Sequence, residues 1–303
     1  MDIYLPIAGM SVNAFFIVAL GGLVGILSGM FGVGGGFLTT PLLIFYGIPP
    51  SVAVASATTQ ITGSSVSGAL AHMRRGGVDL RMGGVLIAGG LVGSLAGAGI
   101  FRLLQASGQI DTVIGLLYVF MLGSIGLLML RDAALALGWV KPAQRSTPKP
   151  RHNRWVAGLP GRWRFYASGL YLSPLAPLLL GFVAGMLTVL LGIGGGFIVV
   201  PAMIYLLGMA ARVVVGTSLV MILAVSAAAT MIHALTTQSV DIVLAALLLV
   251  GGVVGAQYGA MLTTRIKPDL LRLTLAIVIL LVALRMGLGL TYRPDEIFSI
   301  EYR

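Results

Sequence analysis

Two glycine triplets set inside apolar sequence are the residues whose type and spacing point most directly to chemistry. Residues 32–41 read GVGGGFLTTP, and residues 192–201 read GIGGGFIVVP. Glycine costs about 1 kcal/mol against alanine inside a helix, so each triplet interrupts one. The helix that restarts after it presents unpaired N–H groups and about half a positive charge, which binds an anion without any cationic side chain. Gly34, Gly35 and Gly36 lead into a helix beginning near Phe37, and Gly194, Gly195 and Gly196 into one beginning near Phe197. Broken backbone within a bilayer is tolerated where protein or a water-filled cavity surrounds it, and paired interruptions in two halves point to a transporter's binding site. The bland alternative, glycines that only let helices cross closely, is weakened because the whole GxGGGFxxxP pattern recurs.

Hydroxyl and amide side chains follow each triplet. The first half has Ser56, Thr58, Thr59 and Gln60, then Thr62, Ser64, Ser65 and Ser67; the second has Thr217 and Ser218, with Ser226 beyond. Such donors replace water around a hydrated oxyanion without adding charge. They also serve as ordinary glue between membrane helices. Thr39 and Thr40 have no hydroxyl counterparts in the other copy, where Val199 and Val200 stand, so the halves need not bind alike. His72 and His233 occupy equivalent positions and are the titratable candidates for gating or a proton-linked step; the competing reading is a helix-end histidine among headgroups.

What is missing narrows the class. All nine acids, Asp2, Asp79, Asp111, Asp132, Asp241, Asp269, Asp295, Glu296 and Glu301, fall at predicted helix ends or in loops, which leaves no mid-membrane carboxylate for a sodium site or proton relay. No HExxH pattern accompanies the three histidines and no GxxxxGK[ST] pattern is present. No catalytic residue, metal site or cofactor is predicted, and the chain does not read as an enzyme.

The elements that must hold these residues are membrane helices. With 58% hydrophobic and 9% charged residues and a mean hydropathy of +1.03, the composition is that of an integral membrane protein. Apolar helical segments are predicted at 11–31, 36–47, 51–73, 80–104, 110–131, 173–191, 196–208, 211–235, 240–264 and 270–290. Between 25–46 and 185–206, nine of 22 aligned positions are identical. Gly89, Gly90, Gly93 and Gly97 are matched by Gly251, Gly252, Gly255 and Gly259, a spacing that flattens one helix face for close packing. The expected fold is therefore all-α, two repeats each of about five membrane segments with one short or broken helix. A dozen helical residues rise only about 18 Å against roughly 30 Å of hydrocarbon, so the short segments cross only with an extended glycine lead-in. If they cross, the halves are inverted; if they turn back without crossing, each half has four passes and the halves are parallel. The inverted arrangement is preferred, because it gathers Arg74, Arg75, Arg81, Arg212, Arg265, Lys267 and Arg272 with the basic linker on one side, leaving Arg102, Arg293 and Arg303 on the other, with Arg285 snorkelling near a helix end.

Domain boundaries follow: a first membrane repeat over 1–131, a linker over 132–172 and a second repeat over 173–303. The linker carries Lys141, Arg145, Lys149, Arg151, Arg154, Arg162 and Arg164 and all three tryptophans, which places it in the cytoplasm, with 155–166 suited to lie among lipid headgroups. The net charge of +10 thus reflects topology, and nucleic acid is not an expected partner. The first 30 residues hold no Lys or Arg, so a retained helix is expected there in place of a cleaved signal peptide. Absence of cysteine excludes disulfides and thiolate metal sites.

The doubled GVGGGFLTTP and GIGGGFIVVP, each followed by a Ser/Thr helix (ASATTQ, GTSLV) and a later VDL or VDI turn, resemble the TauE/SafE family of sulfite and organosulfonate exporters over all but 132–172. That resemblance implies export of sulfite, or of a sulfonate such as sulfoacetate, across the bacterial inner membrane. The leading expectation is a multi-pass secondary transporter working by alternating access, with a small anion and membrane lipid as partners and homodimer formation left open. The alternatives are an importer of a sulfur-containing anion and a non-transporting membrane scaffold subunit.

Overall fold

The computed structural model describes residues 2–31, 35–74, 76–136, 161–166, 168–209, 211–262 and 268–291. Each half begins with a small antiparallel hairpin: β1 (Asp2–Leu5) with β2 (Met10–Asn13), and β3 (Trp163–Phe165) with β4 (Leu170–Leu172). Gly9 and Gly169, 160 positions apart like the triplets, close the two turns at φ 66° and 64°. The first half continues through α1 (Ala14–Phe31), α2 (Gly36–Phe45), α3 (Pro50–Arg74), α4 (Leu80–Ala106) and α5 (Ile110–Ala136). The second continues through α6 (Leu175–Leu191), α7 (Gly196–Tyr205), α8 (Ala211–Ile232), α9 (Ile242–Leu262) and α10 (Pro268–Thr291), with a π turn, His233–Thr237, ending α8.

The ten predicted helices are therefore present, but neither hairpin is expected from the apolar periodicity. The hairpins displace two helix starts. Asn13 caps α1 by accepting from the Phe16 N–H at 3.3 Å, so the helix begins three residues later than predicted. α6 starts after Pro174, and Ser173 just ahead of it accepts from the Leu175 N–H at 3.3 Å. The last part of the expected linker is likewise structured: Phe165, Leu170 and Leu172 are buried in a core with Met82, Leu86 and Met203. The remainder of that linker, 137–160, lies outside the described residues, as do Gly34, Arg75, Arg265, Lys267, Arg293 and Arg303.

Among the described residues, five helical stretches are long and apolar enough to cross a membrane, at Leu80–Ala106, Ile110–Leu135, Val213–Thr237, Ile242–Gly259 and Leu273–Thr291. α1, α2, α6 and α7 are apolar but shorter. α3 is long enough and fails on composition, because its middle carries the Ser, Thr and Gln residues singled out above.

Glycine seams fix how the helices meet. A Cβ on Gly89, Gly93 or Gly97 of α4 would lie 2.1, 1.9 or 2.8 Å from the carbonyl oxygen of Leu178, Phe182 or Met186 on α6. The same relation holds on the other flank, where Gly251, Gly255 and Gly259 of α9 meet Val18, Gly22 and Ile26 of α1 at 2.0 to 2.1 Å. Both series advance in the same chain direction, so α4 runs parallel to α6, and α1 to α9. The counterpart helices do the opposite. Thr62 bonds Ser226 while Thr59 bonds Thr230, and Gly115 meets Leu290 while Gly126 meets Leu280, so α3 runs antiparallel to α8 and α5 to α10.

Candidate functional site

Each short helix folds back along the helix before it, so the two turn back as a pair. The expectation that turning back makes the halves parallel counts the first helix of each half as a separate crossing, and it does not apply. Gly35 lies against Val24 and Ser28 of α1, and at the far end of α2 the Tyr46 ring stacks on Phe16 at 4.8 Å. Gly195 likewise lies against Ala184 and Thr188 of α6. The two helix starts consequently meet at the centre of the molecule. Phe37 and Phe197 stack on each other, with centroids 4.4 Å apart and planes 7° apart, and both are buried. A Cβ on Gly36 would lie 2.6 Å from the Gly192 carbonyl oxygen, and Ile61 of α3 fits against both Gly36 and Gly194. Thus Gly35, Gly36, Phe37, Gly194, Gly195, Gly196 and Phe197 form one buried cluster, the two turns abutting and covered by a single isoleucine.

The second turn is left-handed at three glycines, with Gly192, Gly194 and Gly195 at φ 69°, 73° and 72°. Only glycine adopts that conformation readily, which accounts for glycine at 192, 194 and 195. Gly195 accepts from the N–H groups of Ile198 and Val199 at 3.1 and 2.9 Å, and Gly35 accepts from those of Leu38 and Thr39 at 3.2 and 3.3 Å. The N–H groups ahead of these, on residues 36, 37, 196 and 197, belong to the first turn, which has no intrahelical acceptor.

Of the predicted polar residues, Gln60 joins this cluster. It is buried, its Oε1 accepts from Thr39 at 3.0 Å, and its amide nitrogen reaches to Gly252 of α9. Thr39 was noted in the sequence only for lacking a hydroxyl counterpart, and the bond to Gln60 is what gives that difference structural meaning. Thr58 and Thr59, immediately before Gln60 in the chain, face α8 where α3 crosses it. Both bond the Ala55 carbonyl, at 2.7 and 3.1 Å, and both lie 3.5 Å from Thr230, with the Thr62–Ser226 bond at 3.0 Å extending the seam. Thr230 is the member of this hydroxyl seam that sequence reasoning missed, because no polar residue marks the aligned position, Ala69.

Ser56, Thr217 and Ser218 are placed elsewhere. Ser56 Oγ accepts from the Asp241 N–H at 3.3 Å, and Thr217 Oγ1 accepts from the Asp79 N–H at 2.9 Å; Ser218 donates to the Val215 carbonyl at 3.0 Å. The two aspartates are helix-end residues as expected, yet buried. Asp79 Oδ1 caps α4 through the Met82 N–H at 3.0 Å, and its Oδ2 takes both the N–H and the hydroxyl of Ser168 in the second hairpin. Asp241 Oδ1 takes the Leu244 N–H at 3.1 Å at the start of α9, and its Oδ2 takes the Ile7 N–H of the first hairpin at 3.1 Å. Each half thereby latches the hairpin of the other, at opposite ends of the bundle. The VDL and VDI turns carried the signal for this, and the matched Gly9 and Gly169 carried the rest.

The histidines diverge. His233 is buried, with Nε2 3.0 Å from the Val189 carbonyl, Nδ1 3.4 Å from Thr237 Oγ1 and its ring edge-on to Phe101 at 4.9 Å. His72 lies half-buried in the last turn of α3. No group of three or more His, Cys, Asp or Glu able to hold a metal occurs among the described residues.

A two-fold set of crossing helices, with two glycine-broken helix starts meeting at its centre, defines a multi-pass α-helical membrane protein with a buried polar crossing. The model of the family described as sulfite exporter TauE/SafE matches residues 17–286, and the chain belongs to that family. It is 32% identical over 278 residues to the probable membrane transporter protein YjnA of Bacillus subtilis, covering 89% of this chain and 98% of that one. It is 28% identical over 271 residues to a probable membrane transporter protein of Xylella fastidiosa, covering 88% and 92%. A shorter stretch of 92 residues is 36% identical to the probable membrane transporter protein YfcA of Escherichia coli, covering 30% and 33%. No solved structure matches. The family is one of membrane transporters.

Proposed function

We propose that this chain is a secondary transporter, not an enzyme, that exports a small sulfur-containing anion, sulfite or an organosulfonate such as sulfoacetate, by alternating access. The observation that carries the reading is the meeting of the two glycine-broken helix starts beside the Thr39–Gln60 pair. Their amides supply the anion's counter-charge, and neutral donors keep binding weak enough for release. Inverted halves are supported by the antiparallel course of α3 against α8 and of α5 against α10. By those directions Arg74, Arg81, Arg131, Arg162 and Arg164 share one end and Arg102 and Arg285 the other, which favours a cytoplasmic basic end and an inner-membrane location. An anion leaving a negative-inside cell gains about 2.3 kcal/mol per charge per 100 mV, so export needs no bound cation.

With Ile61 covering the turns and both hairpins latched, this arrangement corresponds to a closed state. Opening separates the α3/α8 hydroxyl seam and releases one latch at a time. Flux of radiolabelled sulfite and sulfoacetate from liposomes tests the proposal, using the native chain and the Thr62→Cys/Ser226→Cys pair. The native chain should carry one of the two anions; the pair should stop when cross-linked and recover on reduction. Absence of flux of either anion from folded native protein rejects the substrate assignment. Undiminished flux from the cross-linked pair rejects the opening of this seam.

A further inference from the structure

A cleft of about 300 Å³ lies between α2, α5 and α10, away from the glycine turns, and two opposite charges line it: Asp111 in the first turn of α5 and Arg285 of α10. Its other walls are Ile44, Phe45, Pro50, Met286 and Leu290. The Arg285 guanidinium lies over the Phe45 ring, 5.4 Å from its centroid and within the roughly 6 Å at which such a contact is attractive. Gly289 lies under the guanidinium: a Cβ there would have only Arg285 Nη1 near it, at 3.7 Å, so this glycine leaves the cleft floor open. The surrounding face of α10 is apolar and exposed, with Leu281, Leu284, Leu288 and Leu290 all outward. A charge on a lipid-facing helix needs a partner, and the cleft holds a cation and an anion in one apolar-walled space.

We propose that this cleft binds the headgroup of a zwitterionic phospholipid, the phosphate on Arg285 and the primary ammonium on Asp111, with acyl chains lying along the exposed leucines. Guanidinium pairs with phosphate oxygens through a planar fork, and a carboxylate accepts from an ammonium N–H. A lipid is favoured over a free phosphoethanolamine because the cleft opens among lipid-facing apolar side chains. The related space at the other end of the bundle offers a contrast. It is larger, about 520 Å³, between α5, α7 and α10, and its acid, Asp132, already accepts a bond from Tyr205 at 3.2 Å, with no Lys or Arg among its lining residues.

The test is native mass spectrometry of the purified full chain with added phosphatidylethanolamine, phosphatidylglycerol or phosphatidylcholine, and with free phosphoethanolamine as competitor. Phosphatidylethanolamine should be retained about tenfold better than the other two, the effect of one charge-assisted hydrogen bond. Arg285→Gln should lose retention of every lipid. Asp111→Asn should lose phosphatidylethanolamine and gain phosphatidylglycerol, inverting the preference. Gly289→Leu, which alters no charge and meets open space, should lower retention by filling the floor. An unchanged lipid ratio in Asp111→Asn overturns the zwitterion assignment, and undiminished retention in folded Arg285→Gln overturns the site. Displacement by free phosphoethanolamine as effective as by the lipid itself overturns the lipid as the source.

Discussion

The two glycine turns are built from the same sequence pattern and do not have the same chemistry. The second is a run of left-handed glycines, φ 69° to 73°, followed by Val199 and Val200. In the first, Gly35 is right-handed at φ −59° and is followed by Thr39 and Thr40, with Thr39 bonded to Gln60; the position equivalent to Gln60 in α8 is Met221. The contrast extends along the helices, since α3 is too polar to qualify as a span by composition while most of α8 qualifies. A two-fold arrangement therefore supplies shape twice and polarity once. On the proposed reading, the second turn would serve as a backbone wall and the first would supply the side chains that discriminate among anions.

That contrast can be broken or sharpened by substitution. The largest effects should be symmetric, because the glycine seams are. Gly93→Leu places side-chain atoms where a Cβ alone would be 1.9 Å from the Phe182 oxygen, and Gly255→Leu does so 2.1 Å from the Gly22 oxygen. Both should lower the yield of monodisperse protein by more than about tenfold, since overpacking against backbone cannot relax. Tolerance of one but not the other would show that the halves do not share their packing.

The latches come next and should be unequal. Asp79→Ala removes a helix cap and two bonds from Ser168, roughly 2–3 kcal/mol, whereas Asp241→Ala removes a cap and one bond, roughly 1–2 kcal/mol. Thermal unfolding in detergent should rank them in that order, and equal losses would mean that the Ser168 hydroxyl contributes nothing.

The turns themselves should then separate. Gly195→Ala forces an alanine into the left-handed region at a cost of about 1–2 kcal/mol. Gly35→Ala meets no such penalty and its tight contact is with a side-chain methyl, Val24 Cγ1 at 2.7 Å, with Ser28 and the Val24 oxygen at 3.4 Å, so its melting temperature should fall less. The smallest effect is on transport rate: Gln60→Met removes a buried hydrogen bond of about 1 kcal/mol and should slow flux about fivefold, while Met221→Gln should leave it within about twofold. Equal slowing by both would place substrate contacts on the two halves alike.

Much of this was legible in the chain because the signals are local or repeated. Apolar runs of helical length gave the ten helices, since a bilayer rewards only that pattern, and the doubled triplet located the helix breaks. The hairpins were not legible: strands of three or four residues beside a longer apolar run are absorbed by it, as Met10–Asn13 was by the predicted first helix. Nor were the roles of the hydroxyls. Ser56 and Thr58 are two positions apart on one helix, and a turn of roughly 100° per residue sends one to a latch and the other to the seam.

What the sequence determined by itself was the membrane class, the two-fold repetition and the places where helices must break, because hydropathy, spacing and glycine content act on the chain locally. Which half carries polarity was also written there, in Thr39 against Val199 and Gln60 against Met221. Only the tertiary structure decided that the breaks meet face to face, that each half's buried aspartate holds the other half's hairpin, and that Asp111 and Arg285 share a cleft. Those pairings join residues up to 234 positions apart, as Ile7 and Asp241 are, and no local rule relates them. They arise from close backbone approach along the glycine seams, which fixes how far one half sits from the other.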